Sequence, residues 1–400
     1  MSAAERRLRE RRTQPKPRVG VFDLGKRLSS LPVIICAGSG GVGKTTISAA
    51  LGMAIAASAD KRVLVLTVDP AKRLATALGL RGIGSQPVAV PRRLLRDAGL
   101  PARGELVAAM LDMKSAWDRL VECYAPDRRA AQRILENRFY QRISDAFIGS
   151  QEYAAMEALY ELHEAAEYDC VIVDTPPSRN ALDFLEAPNR LSDYVGARLL
   201  SWLAGSSGFG FRAMNIAATP FLRLADRLLG GDVLAEVAEF VRELQQLYGG
   251  VQRHARDVYR LLRSPSVGFV VVTSLDPGPF AEAEFFATKL REFSMPLRAI
   301  VVNRMLPESL RDAATAQAAS ALEDNPKMAA WLTSELGRRV TSDTARAVGS
   351  TFLLFHTLAQ REARQLSRLE RLGDVPASRI PLFTDDVSGL EGLVRIAGLL

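Results

Sequence analysis

Apolar runs that stop abruptly at glycine or aspartate set the first pattern in this chain. Leu31 to Val42 begins with the apolar stretch Pro-Val-Ile-Ile-Cys-Ala, runs into Gly-Ser-Gly-Gly-Val-Gly, and continues from Lys44 to Ala57 as an alanine-rich segment. That order predicts strand, glycine loop and helix. Lys61 to Val68 predicts a second buried strand ending at Asp69-Pro70, and Asp169 to Val173 a third ending at Asp174-Thr175-Pro176-Pro177. Gly268 to Thr273 and Leu297 to Val302 predict two more, separated by a helical stretch around Glu282 to Phe293 and closed by Asn303. A last short strand, Arg379 to Phe383, precedes Thr384-Asp385-Asp386. Apolar runs without alternation belong to strands covered on both faces, and strands alternating with helices fold through right-handed crossovers. The expected fold is therefore α/β, a doubly wound and mainly parallel sheet.

Two stretches between the strands carry a helical pattern instead, from about Gly104 to Ala166 and from about Asn180 to Arg263. In the second, Val233, Val237, Phe240, Val241, Leu244, Leu247, Tyr248, Val251, Ala255, Val258, Tyr259 and Leu262 recur at three and four residues, which gives a wide apolar stripe. Together they predict one α-helical subdomain inserted at about 100–166 and 185–263, within a folded domain spanning 19–400.

Length and composition narrow the class. At 400 residues and 43.6 kDa, with 48% hydrophobic and 24% charged residues, the chain has enough apolar side chains for a large packed interior. A small disulfide-stapled scaffold and wholesale disorder are both excluded. The formal charge of +7 is concentrated at one end, since residues 1–18 hold seven Lys or Arg against two Glu and the remaining residues carry only +2. Residues 1–18 are thus expected to form a basic, disordered tail. A nearly neutral body offers no face with the many phosphate contacts that nucleic acid requires, so a nucleic-acid partner is not expected.

Cys36, Cys123 and Cys170 are far apart, as are His163, His254 and His356, so no zinc or haem motif can be assembled from sequence neighbours. Cys36 and Cys170 lie in apolar runs and are expected to be small core residues. Unpaired cysteines suit a reducing cytosol. The N-terminal stretch is charged and leads into Pro15 and Pro17 rather than an apolar segment, so no secretory leader is expected. The most apolar windows, Leu199 to Phe211 and Ala213 to Leu222, are broken by glycine, serine or proline and fall short of a bilayer span. A cytoplasmic protein is expected, with peripheral attachment to a membrane left open.

The strongest chemical signal is Gly38-Ser39-Gly40-Gly41-Val42-Gly43-Lys44-Thr45, which fits the phosphate-binding pattern G-x-x-x-x-G-K-[ST]. Glycines let backbone N–H groups turn inward around phosphate oxygens, and the following helix terminus adds positive potential. Lys44 can reach the β and γ phosphates, and the Thr45 hydroxyl can ligate Mg²⁺. Given such a loop, Asp69 and Asp174 gain meaning, because each ends a buried strand on the loop's side of the sheet. A nucleotide hydrolase needs one carboxylate behind the metal and another group to orient the attacking water.

These residues bear a family resemblance. Ser39-Gly40-Gly41-Val42-Gly43-Lys44-Thr45-Thr46, then Asp69-Pro70-Ala71, Asp174-Thr175-Pro176-Pro177 and Val301-Val302-Asn303-Arg304 resemble, in order, the motifs of the ArsA-type ATPases. That family includes the arsenite-pump ATPase and the guided-entry ATPase that delivers tail-anchored membrane proteins. The stretch from Asp174 to Leu185 and Gly149-Ser150-Gln151-Glu152-Tyr153 resemble a bacterial subgroup described only as anion-transporting ATPases. The resemblance implies a sheet of the deviant-Walker P-loop NTPase type and an ATPase using ATP and Mg²⁺. It makes Asp69 the switch residue for the hydrolytic water and Asp174 the Walker B carboxylate. Gly40, Gly41, Val42, Gly43, Lys44, Thr45 and Thr46 would bind the phosphates, Thr45 and Asp174 would serve the metal, and Asn303 with Pro381, Leu382 and Phe383 would hold adenine.

Two departures qualify what the resemblance implies. Where the family has a second, signature lysine that crosses a dimer interface, this chain has Ser39, and a serine cannot deliver that charge. The expectation is a dimer, either of this chain or with a lysine-bearing ATPase subunit, unless Lys72 or Arg73 takes the role. The thiolate cluster of the arsenite pump and the Cys-x-x-Cys zinc site of the targeting ATPase are also missing, which disfavours arsenite transport. Leu191 to Leu229 is rich in apolar residues, among them Trp202, Phe209, Phe211 and Phe221. By resemblance it would open a groove for a hydrophobic client, although a plain helical core accounts for it equally. The leading reading is an ATP-switched carrier of hydrophobic membrane-protein segments. The alternatives are a regulatory or energising subunit of a transporter or metabolic complex, and a weakly active nucleotide-binding scaffold.

Overall fold

A computed structural model describes residues 23–68, 73–80, 82–97, 99–101, 103–137, 140–141, 151–175, 247, 250, 253–325, 327–369, 375–385, 387 and 389–400. The strands are β1 (Val33–Ala37), β2 (Arg62–Thr67), β3 (Val88–Ala89), β4 (Glu105–Met110), β5 (Cys170–Asp174), β6 (Val267–Thr273), β7 (Leu297–Met305) and β8 (Ala377–Pro381). The helices are α1 (Asp23–Leu28), α2 (Lys44–Ser58), α3 (Arg73–Ala77), α4 (Arg92–Asp97), α5 (Met113–Tyr124), α6 (Arg128–Glu136), α7 (Gln151–Ala165), α8 (253–262), α9 (Pro277–Glu292), α10 (Ala313–Asp324), α11 (Lys327–Leu336), α12 (Ser342–Leu369) and α13 (Gly389–Ala397).

The strands form one eight-stranded sheet in the order β3-β4-β2-β5-β1-β6-β7-β8. All neighbours pair in parallel except the short β3, which runs antiparallel to β4. Successive side chains of one strand point to opposite faces, and two cores follow from this. Ile34 and Cys36 of β1, Val63 and Val65 of β2, and Ile172 of β5 pack with α1, α2 and α13. Val33 and Ile35, Leu64 and Leu66, and Val171 and Val173 pack on the other face with α5, α7, α8 and α9. Helices therefore cover both faces, as the uninterrupted apolar strands require. Burial pushes the Cys36 and Cys170 thiols up to about 12, which fits core residues rather than nucleophiles.

The structure corrects the sequence reading in four places, the first being β8, which is Ala377–Pro381 and so ends before Leu382 and Phe383 rather than spanning Arg379 to Phe383. Residues 105–110, assigned above to the first helical stretch, are strand β4, paired in register with β2 from Arg62–Glu105 to Thr67–Met110. Asn303 does not close β7 but lies within it. Residues 306–376, for which no elements are predicted, hold a 3₁₀ turn at Glu308–Arg311 and helices α10, α11 and α12. Close packing is possible there because Gly349 has no side chain: a Cβ would lie 2.5 Å from the Ala319 carbonyl oxygen. The basic tail at 1–18 and most of the second insertion, including Leu191 to Leu229, lie outside the described residues.

A buried polar contact joins α7 and α8 on the face away from α2. Glu157 of α7 meets His254 of α8 at 2.5 Å, both side chains 4% exposed, with the Tyr124 and Tyr160 rings against the imidazole. Removing one member of such a buried pair strands the other. Glu157→Ala should lower stability by about 3 kcal/mol in urea unfolding, whereas Glu161→Ala, which breaks a part-exposed pair with Arg119, should cost under about 1 kcal/mol. Equal, small losses would contradict this ranking.

Candidate functional site

The glycine loop occupies the carboxyl end of β1, the strand flanked by β5 and β6. Two glycines are required by the space and backbone there. At Gly38 a Cβ would stand 2.1 Å from the Val272 carbonyl oxygen of β6, and at Gly43, with φ of +93°, it would stand 2.5 Å from Asn303 Nδ2. Gly43 is also the residue before α2, and among the described residues no side chain caps that helix. An uncapped terminus leaves its first N–H groups and their positive potential available to an anion.

Lys44, 7% exposed, folds back over the loop and donates from Nζ to the carbonyl oxygens of Gly38 and Ser39, both at 2.9 Å. Ser39 is buried as well, and its hydroxyl has no hydrogen-bond partner among the described residues. A buried orphan hydroxyl and an uncapped helix in one loop fit a phosphate-bearing ligand.

Asp174, the last residue of β5, is 1% exposed. Thr45 Oγ1 donates to its Oδ2 at 2.6 Å and Thr67 Oγ1 at 2.9 Å. The two residues expected to serve a metal, Thr45 and Asp174, are thus in direct contact. A buried carboxylate beside a hydroxyl at a phosphate loop is a donor set of hard oxygens, which suits Mg²⁺. Thr67 is a site residue that sequence reasoning missed. Its only signal was its place one residue before the carboxyl end of an apolar run, where threonine also serves as an ordinary strand former.

The other flank of the loop is pinned by Asn303, 7% exposed. Its Nδ2 donates to the Val42 carbonyl at 2.8 Å, and its Oδ1 accepts from the Arg304 backbone N–H at 3.0 Å. Arg304 takes a φ of +59°, and the β7–β8 register shifts between Val302 and Met305. This bulge turns the strand at the residue that braces the loop. Pro381, Leu382 and Phe383 sit beside it, with Met305 opposite Pro381 and the Leu382 N–H bonded to the Met305 carbonyl at 2.7 Å. Phe383 lies under the Arg395 guanidinium at 4.3 Å.

Of the predicted site residues, the structure gathers Gly40, Gly41, Val42, Gly43, Lys44, Thr45, Thr46, Asp174 and Asn303 around one loop. Pro381 to Phe383 lie at the neighbouring strand end. Asp69 and Lys72 lie outside the described residues, and Arg73 begins α3. Among the described residues no group of three or more His, Cys, Asp or Glu is placed to hold a metal.

A doubly wound sheet with this loop at the carboxyl end of an inner strand, backed by a buried strand-end aspartate, is the architecture of a phosphate-loop nucleotide hydrolase. The chain belongs to the anion-transporting ATPase family, whose profile matches residues 31–328, and it is an ATPase. It is 26% identical to the ATPase GET3 of Malassezia globosa, over 69% of this chain and 73% of that protein. It is 23% identical to the putative arsenical pump-driving ATPase 2 of Aquifex aeolicus, over 70% and 82%. It is 22% identical to the ATPase BagA of Mycobacterium tuberculosis, over 90% of both chains. Among the described residues no helix is long and apolar enough to cross a membrane.

The brace at Asn303 makes a prediction for the nucleotide-free protein. Asn303→Ala leaves the buried Val42 carbonyl without that donor, which should lower stability by about 1–2 kcal/mol in thermal or urea unfolding without nucleotide. An unchanged midpoint would show that the loop does not depend on the contact.

Proposed function

We propose that this chain is a Mg²⁺-dependent ATPase whose nucleotide state governs pairing with a second ATPase subunit and, through the helical layer, the binding and release of a hydrophobic client or membrane-protein partner. The observation that carries the nucleotide part is the contact of Thr45 with the buried Asp174 beneath an uncapped helix terminus. In this reading the loop's backbone N–H groups and Lys44 hold the β and γ phosphates. Thr45 and Asp174 hold the metal shell, while Asn303 and the Pro381 to Phe383 segment border the base. Bound Mg²⁺ would neutralise charge that develops on the transferred phosphoryl group. Asp69, one residue beyond Val68 at the end of β2, would orient the attacking water.

Pairing and client binding draw their support from the family resemblance. Ser39 gives the pairing a direction, because a serine brings no cation to a partner's phosphates. A trans cation in phosphoryl transfer is worth about 10³ to 10⁵ in rate, so the chain alone should hydrolyse ATP slowly and a lysine-bearing partner should speed it. Brisk hydrolysis by the isolated chain that survives substitution of Lys72 and Arg73 would remove the need for such a partner.

Two substitutions separate binding from chemistry. Lys44→Ala should abolish ATP binding in calorimetry while the protein still folds cooperatively, its nucleotide-free stability lowered by about 1–2 kcal/mol through the lost bonds to the Gly38 and Ser39 carbonyls. Asp69→Asn should keep ATP affinity and stop turnover. Unchanged affinity in Lys44→Ala would refute the phosphate assignment, and full turnover in Asp69→Asn the assignment of the water.

A further inference from the structure

Strands β7 and β8 are parallel, so the chain must return from the carboxyl end of one to the amino end of the other. It does so through α10, α11 and α12, the last of which, at 28 residues, is about 42 Å long. The distal half of α12 is anchored. Ala359, Leu366 and Leu369 are buried, and Arg368 bonds Glu284 of α9 at 2.6 Å. Glu362, half-buried, falls on the same inward stripe, because positions 359, 362, 366 and 369 recur at three and four residues. A carboxylate there is costly unless a donor meets it. Burial holds the Glu362 carboxyl above its ordinary range, Asp276 adds to the effect, and the Leu306 N–H and Arg311 pull the other way. The donor that meets it is the Leu306 backbone N–H, at 2.9 Å.

That donor lies just beyond the bulge at Arg304. Two side chains bracket the bulge: Asn303 Oδ1 takes the Arg304 N–H at 3.0 Å, and Glu362 takes the Leu306 N–H. The Met305 carbonyl and the Leu306 N–H belong to one planar trans peptide, so their bonds leave it on opposite sides. On one side the carbonyl accepts from the Leu382 N–H at 2.7 Å. On the other the N–H donates to Glu362. A single peptide plane thus links the anchored half of α12 to the segment from Pro381 to Phe383. Turning that plane moves both partners, so Leu382 is placed by a helix it does not bond to directly.

We propose that Glu362 is a positioning residue for the nucleotide base: from α12 it fixes the Met305–Leu306 peptide, and through that peptide it sets Leu382 and Phe383 against the base. The inference rests on the reading that Asn303 and the Pro381 to Phe383 segment border the base. Without the carboxylate the peptide plane is free to turn, while Lys44 and the terminus of α2 still hold phosphates. The affinity contributed by the base then falls and the affinity contributed by the phosphates does not. A role confined to holding the end of β7 would weaken both alike.

Calorimetry of the full chain with Mg²⁺ and either ATP or inorganic triphosphate tests it. The parent should bind ATP at least about tenfold more tightly than inorganic triphosphate. Glu362→Ala should weaken ATP binding about fivefold, the effect of one lost hydrogen bond, and leave inorganic triphosphate within about twofold. Glu362→Gln keeps an oxygen for the Leu306 N–H and should stay within about twofold of the parent for ATP. Equal losses of both ligands in Glu362→Ala, an ATP preference unchanged there, or a Glu362→Gln as weak as Glu362→Ala would overturn the inference. A parent that binds the two ligands alike would remove the base reading itself, and the inference with it. Hydrogen exchange of the parent gives a second measurement that needs no variant. ATP should slow exchange at the Leu306 and Leu382 amides and inorganic triphosphate should not, and equal protection by the two would also overturn the inference.

Discussion

A carboxylate taken out of water is tolerated only where hydrogen-bond donors meet it, and the site is arranged around that demand at Asp174. β5 brings the side chain to the carboxyl edge, β2 supplies the Thr67 hydroxyl, and the first turn of α2 supplies Thr45. The order β2-β5-β1 is what lets both donors reach one oxygen. The same contact fixes the start of α2 relative to the sheet, and with it the direction of the helix terminus that faces a phosphate.

The loop is held from two sides. Thr45 ties it to β5, and Asn303 ties it to β7 through the Val42 carbonyl, across the intervening β6. Between these points Gly38 presses against the β6 backbone where no side chain would fit. A loop braced in this way pays little ordering cost when a ligand arrives, which is the value of preorganisation in phosphoryl transfer. The left-handed Arg304 belongs to the same arrangement, since the bulge it forms sets the strand at Asn303.

The phosphate loop and the aspartate ending β5 were legible because both depend on short local patterns, a glycine spacing and an apolar run stopped by a charge. β4 was not, because Glu-Leu-Val-Ala-Ala-Met reads as helix until a parallel neighbour buries it. Strand preference depends on such neighbours more than on the residue itself. Thr67 escaped notice for a related reason, since its role exists only once β5 lies beside β2. Asn303 was recognised as a site residue yet placed one step outside its strand, because a bulge lets β7 continue through a residue that ordinarily ends one. The α10 to α12 excursion carries apolar residues on two faces of α12, and that blurs the single stripe by which an amphipathic helix is recognised.

The metal dependence of ATP binding tests the account most directly, measured by calorimetry with and without Mg²⁺ in the parent and in Asp174→Asn. If the buried carboxylate holds the metal shell, Mg²⁺ tightens ATP binding to the parent and gives Asp174→Asn little or none of that gain, while metal-free ATP binds both proteins similarly. An undiminished Mg²⁺ gain in Asp174→Asn would contradict the assignment on which the rest of the site depends.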